Sequence, residues 1–314
     1  MRKLSVKVFL VITVTAVTPL TVVLLLFILR SYPILLSIEK EEALGAMEFF
    51  RLHLESKTTQ MIEILSNYAL RDDIGEHVNM HDTAWIERNI TGSLMNHFRF
   101  DAVFLTDLEG SIIASSGRIP EGKNNLNSIP VIRAACDGKS SAGFIKYNGD
   151  IYHIAVQPVA GNPGTFTPMG VLTAWRSVSE KYLADMEKDI GFKLNFIFGS
   201  GAFAASIENE AGEYIQKAER TEKSEGSPKH LQNREINLSL GIVPVTDAAG
   251  GEVIGHFLIR LSRNIYAYID EIIATNLILF IFFTLSFLGL GFSLAYFIIV
   301  APLRTAKIRI KNAL

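Results

Sequence analysis

Two long runs without a charged residue constrain what this chain of 314 residues can fold into. The first run covers residues 8–29 and the second covers residues 272–300. At 1.5 Å per residue, the first run would form a helix roughly 33 Å long, which matches the hydrocarbon core of a bilayer. A cleaved signal peptide is the alternative for this run, but no small-residue cleavage site follows it. We therefore predict two transmembrane helices.

Basic residues lie beyond the outer end of each run, within residues 1–7 and within residues 304–311. Because basic segments tend to stay in the cytoplasm, both termini are predicted to be cytoplasmic. Residues 30–271 then lie outside, in the periplasm or the extracellular space. The predicted localisation is the inner (cell) membrane of a bacterium.

The overall composition supports a bacterial membrane protein. Apolar residues make up 49% of the chain, and the formal net charge of −2 gives no reason to expect a nucleic-acid partner. Cys136 is the only cysteine, so no intrachain disulfide can form, which fits a bacterial envelope. Cys136 lies in an apolar helical stretch and is interpreted as a packed core residue.

The exported segment begins with helical periodicity. Apolar residues recur every three or four positions over residues 34–70, which predicts a long helix rising from the membrane. A second helix is predicted from Thr83 to His97, with Asp82 as its N-terminal cap.

The pattern then changes to that of short strands. The segments "FDAVFLTD" and "SIIASS" flank a turn and predict a hairpin. A short helix follows, with Ser128 as its cap, Pro130 in its first turn and Gly138 after its end. A second hairpin surrounds Asn148-Gly149. The strand "MGVLTAWRSV" then leads to a helix with a serine cap and a glycine stop.

A smaller second set of strands is predicted between residue 201 and the second membrane run. The segments "INLSLGIVPVTD" and "EVIGHFLIRL" are predicted to pair with each other. Residues 208–235 are rich in charge and poor in aliphatic side chains, so they are predicted to form a mobile loop or a solvated hairpin.

In this order the motifs resemble those of a Cache-type extracytoplasmic sensor, the PAS-like class that also includes CHASE domains. The resemblance is carried by "DAVFLTDLEGSIIAS", "VIRAACDGKSSAGF", "GDIYHIAVQPV" and "MGVLTAWRSVSEKYLADMEKDIGFKLNF". It implies an α+β fold in which a long N-terminal helix packs on a PAS-like antiparallel sheet. Residues 30–200 would form the main module and residues 201–271 a smaller membrane-proximal module, as in a double Cache layout.

The resemblance also gives a meaning to the last residues of the chain. In such receptors the second span continues into a HAMP linker, whose first helix opens with a proline, and residues 301–314 are predicted to begin one. Pro302, Leu303, Ala306 and Ile310 are the predicted signal-transmission residues, the last three at coiled-coil spacing. A basic stop-transfer tail is the alternative. Because HAMP needs two helices per chain, we expect either a fragment of a longer receptor or a separate output protein.

Candidate ligand-binding residues are aromatic and polar side chains of the predicted sheet and the helix before it. Strand alternation separates Tyr152 from His153 and Gln157, and Trp175 from Arg176, but leaves open which set faces a ligand. The arginines favour a carboxylate ligand. Amino-acid-sensing members carry aromatic residues between the hairpin and the short helix, and this chain has none there. The candidates are Trp85, Arg88, Arg99, Tyr152, His153, Gln157, Trp175 and Arg176.

The function expected from these observations is that of a transmembrane signal receptor. It would bind a small molecule outside, act as a homodimer, and signal to a histidine kinase, diguanylate cyclase or chemotaxis output that is not in this chain. No catalytic residue, cofactor or metal is predicted. His77 and His81 stand at metal-ligand spacing, but a solvated polar surface is favoured. A protein-interaction or assembly module with a Cache-like shell is the alternative function.

Overall fold

A computed structural model gives the structure of the chain in two units, residues 43–261 and the terminal residues 1–42 with 262–314. Each unit is described by itself. The residues described are 2–118, 125–162, 165–198, 201–203, 229–233, 238–261, 264–302 and 305.

The described helices agree with most of the predicted helical segments. One helix, α1, covers both the first uncharged run and the predicted helix at 34–70. A π-helical segment at Glu87–Thr91 interrupts the predicted helix at 83–97, and another at Tyr296–Val300 follows the last helix. The helices are α1 (Arg2–Ala69), α2 (Ile74–Asn79), α3 (Thr83–Ile86), α4 (Gly92–His97), α5 (Pro130–Cys136), α6 (Glu180–Ile190) and α7 (Asn264–Ala295).

The described strands form two antiparallel sheets of five strands each. The first sheet has the order β2-β1-β5-β4-β3 and the second has the order β7-β6-β10-β9-β8. This confirms the predicted α+β class, with a long helix on one antiparallel sheet and a further sheet after it. The strands are β1 (Ala102–Thr106), β2 (Ile112–Gly117), β3 (Ser141–Tyr147), β4 (Asp150–Asn162), β5 (Thr165–Ser177), β6 (Lys193–Phe198), β7 (Gly201–Phe203), β8 (Lys229–Asn233), β9 (Leu238–Thr246) and β10 (Val253–Leu261).

Among the described residues, one helix is long and apolar enough to cross a membrane, at Leu277–Ile298. It lies inside the second predicted span, and apolar side chains such as Phe282 and Leu285 are exposed along it. The backbone of residues 8–29 is helical as part of α1. That residues 8–29 also cross the membrane stays a prediction, as does the topology that follows from two spans. Of the signal-transmission residues, Pro302 is helical, and Leu303, Ala306 and Ile310 lie outside the described residues.

Local sequence signals set several of the element ends. The Asp82 cap is confirmed, because its carboxylate accepts a hydrogen bond from the Trp85 backbone N–H at 3.1 Å. The Asn148-Gly149 turn is also confirmed: both residues have positive φ, 51° and 90°, as a tight type I′ hairpin requires. Helix α6 ends at Gly191, which adopts the left-handed conformation.

One local prediction is wrong, one segment is described further by the structure, and one helix was not predicted. Ser128 does not cap α5, because Ile129 is the N-cap residue and makes no side-chain cap bond; Pro130, whose fixed φ suits the first turn, begins the helix. The charge-rich stretch at 208–235 was predicted to form a mobile loop or a solvated hairpin, and its described residues 229–233 pair with β9 as strand β8. Helix α2 was not predicted, because its six residues carry only Ile74 and Val78 as a short apolar pair.

The first sheet is buried on both of its faces. On one face α1, α2, α3 and α4 pack against β1, β4 and β5, and we call this the α1 face. On the other, α5 and the loop at 125–129 pack against the same strands, and we call this the α5 face. The described core of the α5 face consists of Ala102, Phe104, Leu126, Ile129, Val131, Ile132, Ala135, Ile145, Ile154, Val156, Val171 and Trp175.

Shortening Leu65 tests whether α1 is held by its packing on the sheet. Leu65 is fully buried on the α1 face, so Leu65→Ala should lower the unfolding free energy by about 2–5 kcal/mol through lost contacts and a cavity. Leu52 lies on the same helix and is 50% exposed, so Leu52→Ala should cost about 0.5 kcal/mol or less. Chemical denaturation of both variants checks this. Equal losses would mean that α1 is not anchored through Leu65.

Candidate functional site

The register of the first sheet places three polar side chains on the α5 face. Phe104 on β1 lies opposite Thr173 on β5, and Thr106 lies opposite Val171. Because side chains alternate along a strand, Thr106 shares the side of Phe104, and Trp175 shares the side of Thr173. All of these residues are buried, with Thr106 and Thr173 at 0% exposure and Trp175 at 1%.

Aromatic rings surround Trp175 on the α5 face. The rings of Phe104, Tyr147 and Tyr152 each meet the indole edge to face, with centroids 5.7, 5.6 and 5.0 Å away. Such arrangements place the positive edge of one ring against the negative face of another. The α5 face therefore has an aromatic centre that the alternation of β1, β3, β4 and β5 builds.

Four buried polar atoms on the α5 face have no hydrogen-bond partner in the described structure. They are the Thr106 Oγ1, the Thr173 Oγ1, the Trp175 Nε1 and the Tyr147 hydroxyl. Most buried side-chain polar atoms in proteins are hydrogen-bonded, and leaving one unsatisfied costs about 1–3 kcal/mol. Four of the seven buried, unpartnered side-chain atoms of the described residues lie on this one face. They are candidate groups for binding something from outside the chain.

On the α1 face the buried polar groups are satisfied only in part: His153 has hydrogen-bond partners, whereas the Gln157 Oε1 has none among the described residues. His153 is 1% exposed and contacts Thr58 of α1 through Nε2 at 2.9 Å, and Tyr182 of α6 through Nδ1 at 3.1 Å. Phe144 stacks on the imidazole at 4.4 Å. His153 therefore ties strand β4 to two helices.

The hydrogen bonds of Thr58 fix the tautomer of His153. The Thr58 hydroxyl donates to the Leu54 carbonyl at 2.8 Å, so its oxygen accepts from the imidazole Nε2–H. Nδ1 then carries a lone pair and accepts from the Tyr182 hydroxyl. Burial, with a smaller effect of the nearby Arg176 charge, lowers the pKa of His153 to about 3. His153 is therefore a neutral structural brace at neutral pH.

Arg176 completes this side of the sheet. Its guanidinium lies over the Tyr182 ring at 5.0 Å and pairs with Asp185 at 3.2 Å. Arg99, which is exposed, pairs with the same carboxylate at 3.3 Å. Both arginines therefore neutralise an acid of α6, away from the α5 face.

Residues 53–197 match the model of the CHASE4 domain. This confirms the predicted resemblance to a Cache/CHASE-type sensor domain, and we call this range the CHASE4 segment. It contains both faces of the first sheet together with α5 and α6. No curated protein matches the sequence.

Several solved structures are similar to this chain at low identity. The domain of a sensory box/GGDEF family protein from Vibrio parahaemolyticus is 10% identical, with a TM-score of 0.48, and the match covers 71% of this chain and 95% of that one. The sensor domain of the V. cholerae histidine kinase DctB is 12% identical, with a TM-score of 0.43 and coverage of 71% and 96%. The ligand-binding domain of the Pseudomonas aeruginosa amino acid chemoreceptor PctC, in complex with GABA, is 16% identical, with a TM-score of 0.41 and coverage of 72% and 99%.

The candidate ligand-binding residues, all within the CHASE4 segment, lie on different faces of the first sheet and on the segments next to it. Tyr152 and Trp175 meet on the α5 face. His153, Gln157 and Arg176 lie on the α1 face, as the register requires. The role of each in ligand binding stays a prediction.

Trp85 and Arg88 lie on the helical segments that cover the α1 face, and Arg99 lies between α4 and β1. Trp85 stacks on His77 with ring centroids 3.8 Å apart and an interplanar angle of 6°, and the Arg71 guanidinium lies over the Trp85 ring, 5.5 Å from its centroid. His77 is held by Asp82 at 3.0 Å, while Arg88 is exposed. Among the described residues no group of histidine, cysteine and acidic side chains could hold a metal ion.

Thr106, Thr173, Tyr147 and Phe104 were not among the sequence candidates. The signal was present, because "VFLT" and "LTAW" place a threonine two residues from an aromatic side chain on the same face of a strand. What the sequence lacks is the register that brings these two strands side by side.

The acid sensitivity of the domain tests the His153 brace. The folded pKa lies near 3 and the unfolded one near 6.5, so the unfolded state binds more protons between these values. Stability therefore falls as pH drops from about 6.5 towards 3, by at most about 1.4 kcal/mol per pH unit from this residue. His153→Gln should be less stable at pH 7 and should lose this part of the pH slope.

The control is His97→Gln, because His97 is exposed on α4. Denaturation midpoints measured from pH 7 to pH 4 should keep the wild-type slope in this variant. If His153→Gln also keeps that slope, the imidazole is not buried in its neutral form.

Proposed function

We propose that the chain is a bacterial inner-membrane receptor whose CHASE4 segment binds a small molecule at the α5 face. Ligand binding changes how the first sheet packs, and the change passes through the second span to a cytoplasmic signalling partner. The receptor acts as a homodimer, and the chain itself performs no catalysis. The observation that carries the proposal is the set of four buried, unpartnered polar atoms on the α5 face.

The contrast between the two faces supports this choice of site. Both faces are buried, and each contains polar side chains. On the α1 face His153 has a partner at each ring nitrogen and the Gln157 Oε1 is unpartnered, whereas on the α5 face four polar atoms, those of Thr106 and Thr173 among them, have no partner among the described residues. A hydroxyl that is buried without a partner destabilises the free protein, and a ligand that pairs with it recovers that free energy.

The α5 face also touches the second sheet, which gives the signal a route. The turn between β9 and β10 lies against the edge strand β3, where the Ala248 backbone N–H donates to the Phe144 carbonyl at 2.8 Å. The Ala248 side chain packs against the described core of the α5 face. At Gly143, with φ of +151°, a Cβ atom would come within 3.0 Å of the Ala248 Cβ. The two sheets therefore meet beside the proposed site.

Hydrogen bonds within the β9–β10 turn support its role in transmitting a displacement. The Asp247 carboxylate accepts hydrogen bonds from the Ala249 and Gly250 backbone N–H groups at 2.7 and 3.3 Å. Strand β10 ends at Leu261, and α7, which contains the candidate span, begins at Asn264 in the sequence. A shift of this turn would thus be passed along β10 towards the second span.

Replacing Thr173 by valine tests the site, because valine has nearly the same shape and no hydroxyl. In the free protein Thr173→Val should be neutral or should raise the unfolding free energy by up to about 1 kcal/mol, since it removes an unsatisfied buried group. It should also abolish the rise in unfolding temperature that fractions of small envelope metabolites produce in the wild-type full-length chain in detergent.

The matched control is Thr91→Val. Thr91 is equally buried, but its hydroxyl contacts the Ser116 hydroxyl at 2.8 Å. This variant should therefore lose about 1–2 kcal/mol and should keep the response to the metabolite fractions. If no fraction stabilises the wild type, or if Thr173→Val responds as the wild type does, the α5 face is not a ligand site.

Replacing Gly143 by alanine tests the contact between the sheets. The added Cβ would press against Ala248 and would strain the positive φ, so Gly143→Ala should loosen the turn from β3. Spin labels at the exposed positions Lys146 and Glu252, in a Cys136→Ala background, should show a broader distance distribution in this variant.

The control for this experiment is Gly45→Ala, which meets nothing within 4 Å and should leave the distance distribution unchanged. Under the proposed route, ligand should narrow the wild-type distribution or shift its mean. An identical distribution in the wild type, in Gly143→Ala and with ligand would exclude transmission through this turn.

A further inference from the structure

The chemistry of the unpartnered atoms indicates which ligands the α5 face accepts. We infer that it binds an uncharged small molecule with an apolar carbon frame and an oxygen acceptor that receives the Trp175 Nε1–H. This inference rests on the proposed function and narrows its ligand to a chemical class.

The requirement for an acceptor follows from Trp175. An indole Nε1–H donates and never accepts, so its partner must carry a lone pair. The hydroxyls of Thr106, Thr173 and Tyr147 can either donate or accept, and they adapt to a carbonyl, a hydroxyl or an amide. A ligand oxygen that reaches the indole is therefore the one fixed element of the recognition.

The requirement for a neutral ligand follows from the lack of buried carboxylate, lysine or arginine side chains among the described residues. In the part of the chain that the structure describes, the buried polar side chains are two hydroxyls on the α5 face, and elsewhere Thr91, His153 and Gln157. None of these is a carboxylate, a lysine or an arginine. An ionised ligand enclosed here would lose its hydration without gaining a buried counter-charge, which costs several kcal/mol.

The charged groups near the ends of the α5 face do not favour an anion. Burial and then the nearby charges of Asp137 and Asp107 raise the pKa of the Cys136 thiol, which places these acids close to the end of α5. Burial and then Asp150 raise the pKa of Tyr152, with a smaller opposite effect of Arg118. Acids thus lie near both ends of the site, and the Arg118 guanidinium offsets them in part at the Tyr152 end.

The arginines that favoured a carboxylate ligand in the sequence do not face this site. Arg176 and Arg99 pair with Asp185, and Arg88 is exposed on the helices of the α1 face. Bidentate recognition of a carboxylate needs a free guanidinium at the site. The expectation of a carboxylate therefore loses its basis, and an uncharged acceptor takes its place.

Two pairs of probes that differ in charge but hardly in shape test this inference: benzamide with benzoate, and pentanamide with pentanoate. Benzylammonium adds a cation on the same ring. Binding to the full-length chain in lipid nanodiscs would be followed by Trp175 fluorescence in a Trp85→Phe background, which leaves Trp175 as the single tryptophan. Each amide should bind at least about tenfold more tightly than its carboxylate, which corresponds to a difference in binding free energy of about 1.4 kcal/mol.

The amide response should disappear in Thr173→Val and persist in Thr91→Val. Tighter binding of benzoate or benzylammonium, lost in Thr173→Val, would overturn the inference about charge and leave the receptor proposal standing. No response to either amide would also overturn the inference. The receptor proposal fails separately, when no fraction of envelope metabolites gives a stabilisation that depends on Thr173.

Discussion

The rest of this structure depends on the fact that one antiparallel sheet is buried on both faces. Strand alternation sends neighbouring residues to opposite sides, so His153 faces α1 while Ile154 and Tyr152 face α5. One face anchors the long helix through the hydrogen bonds of His153, although the Gln157 Oε1 on this face has no partner among the described residues. The other keeps unpartnered polar atoms around an aromatic centre. The same three strands therefore supply both the rigid support and the proposed binding surface.

This division gives a ligand two neighbouring structures to act on. Across the sheet, β4 carries the His153 brace to Thr58 on α1 and to Tyr182 on α6. At the sheet edge, β3 holds the Ala248 turn of the second sheet, from which β10 leads in sequence to α7. A ligand can shift such an equilibrium only by binding its two states differently. Pairing of the buried hydroxyls in one packing of the α5 face and not in the other would supply that difference.

Much of the fold was predictable because its signals are local. The cap at Asp82 and the Asn148-Gly149 turn each depend on a few adjacent residues, and alternation identified the strands. Helix α2 was missed because six residues give too short a period, and the α5 cap was misassigned because Pro130 begins the helix without a side-chain cap. The site was predictable only in part. Tyr152 and Trp175 were named from composition, whereas Thr106 and Thr173 become neighbours only through the pairing of β1 with β5, which is a long-range contact.

The central claim is that the partner of the Trp175 Nε1–H comes from outside the chain. Nitrogen-15 NMR of the two indole N–H groups tests it most directly, with the Trp85→Phe variant to assign the signals and Trp85 as the internal reference. On addition of a fraction of envelope metabolites that stabilises the full-length chain, the Trp175 signal should move downfield and exchange more slowly with water, while the Trp85 signal stays in place. A Trp175 signal that is unchanged by every stabilising fraction would contradict the account.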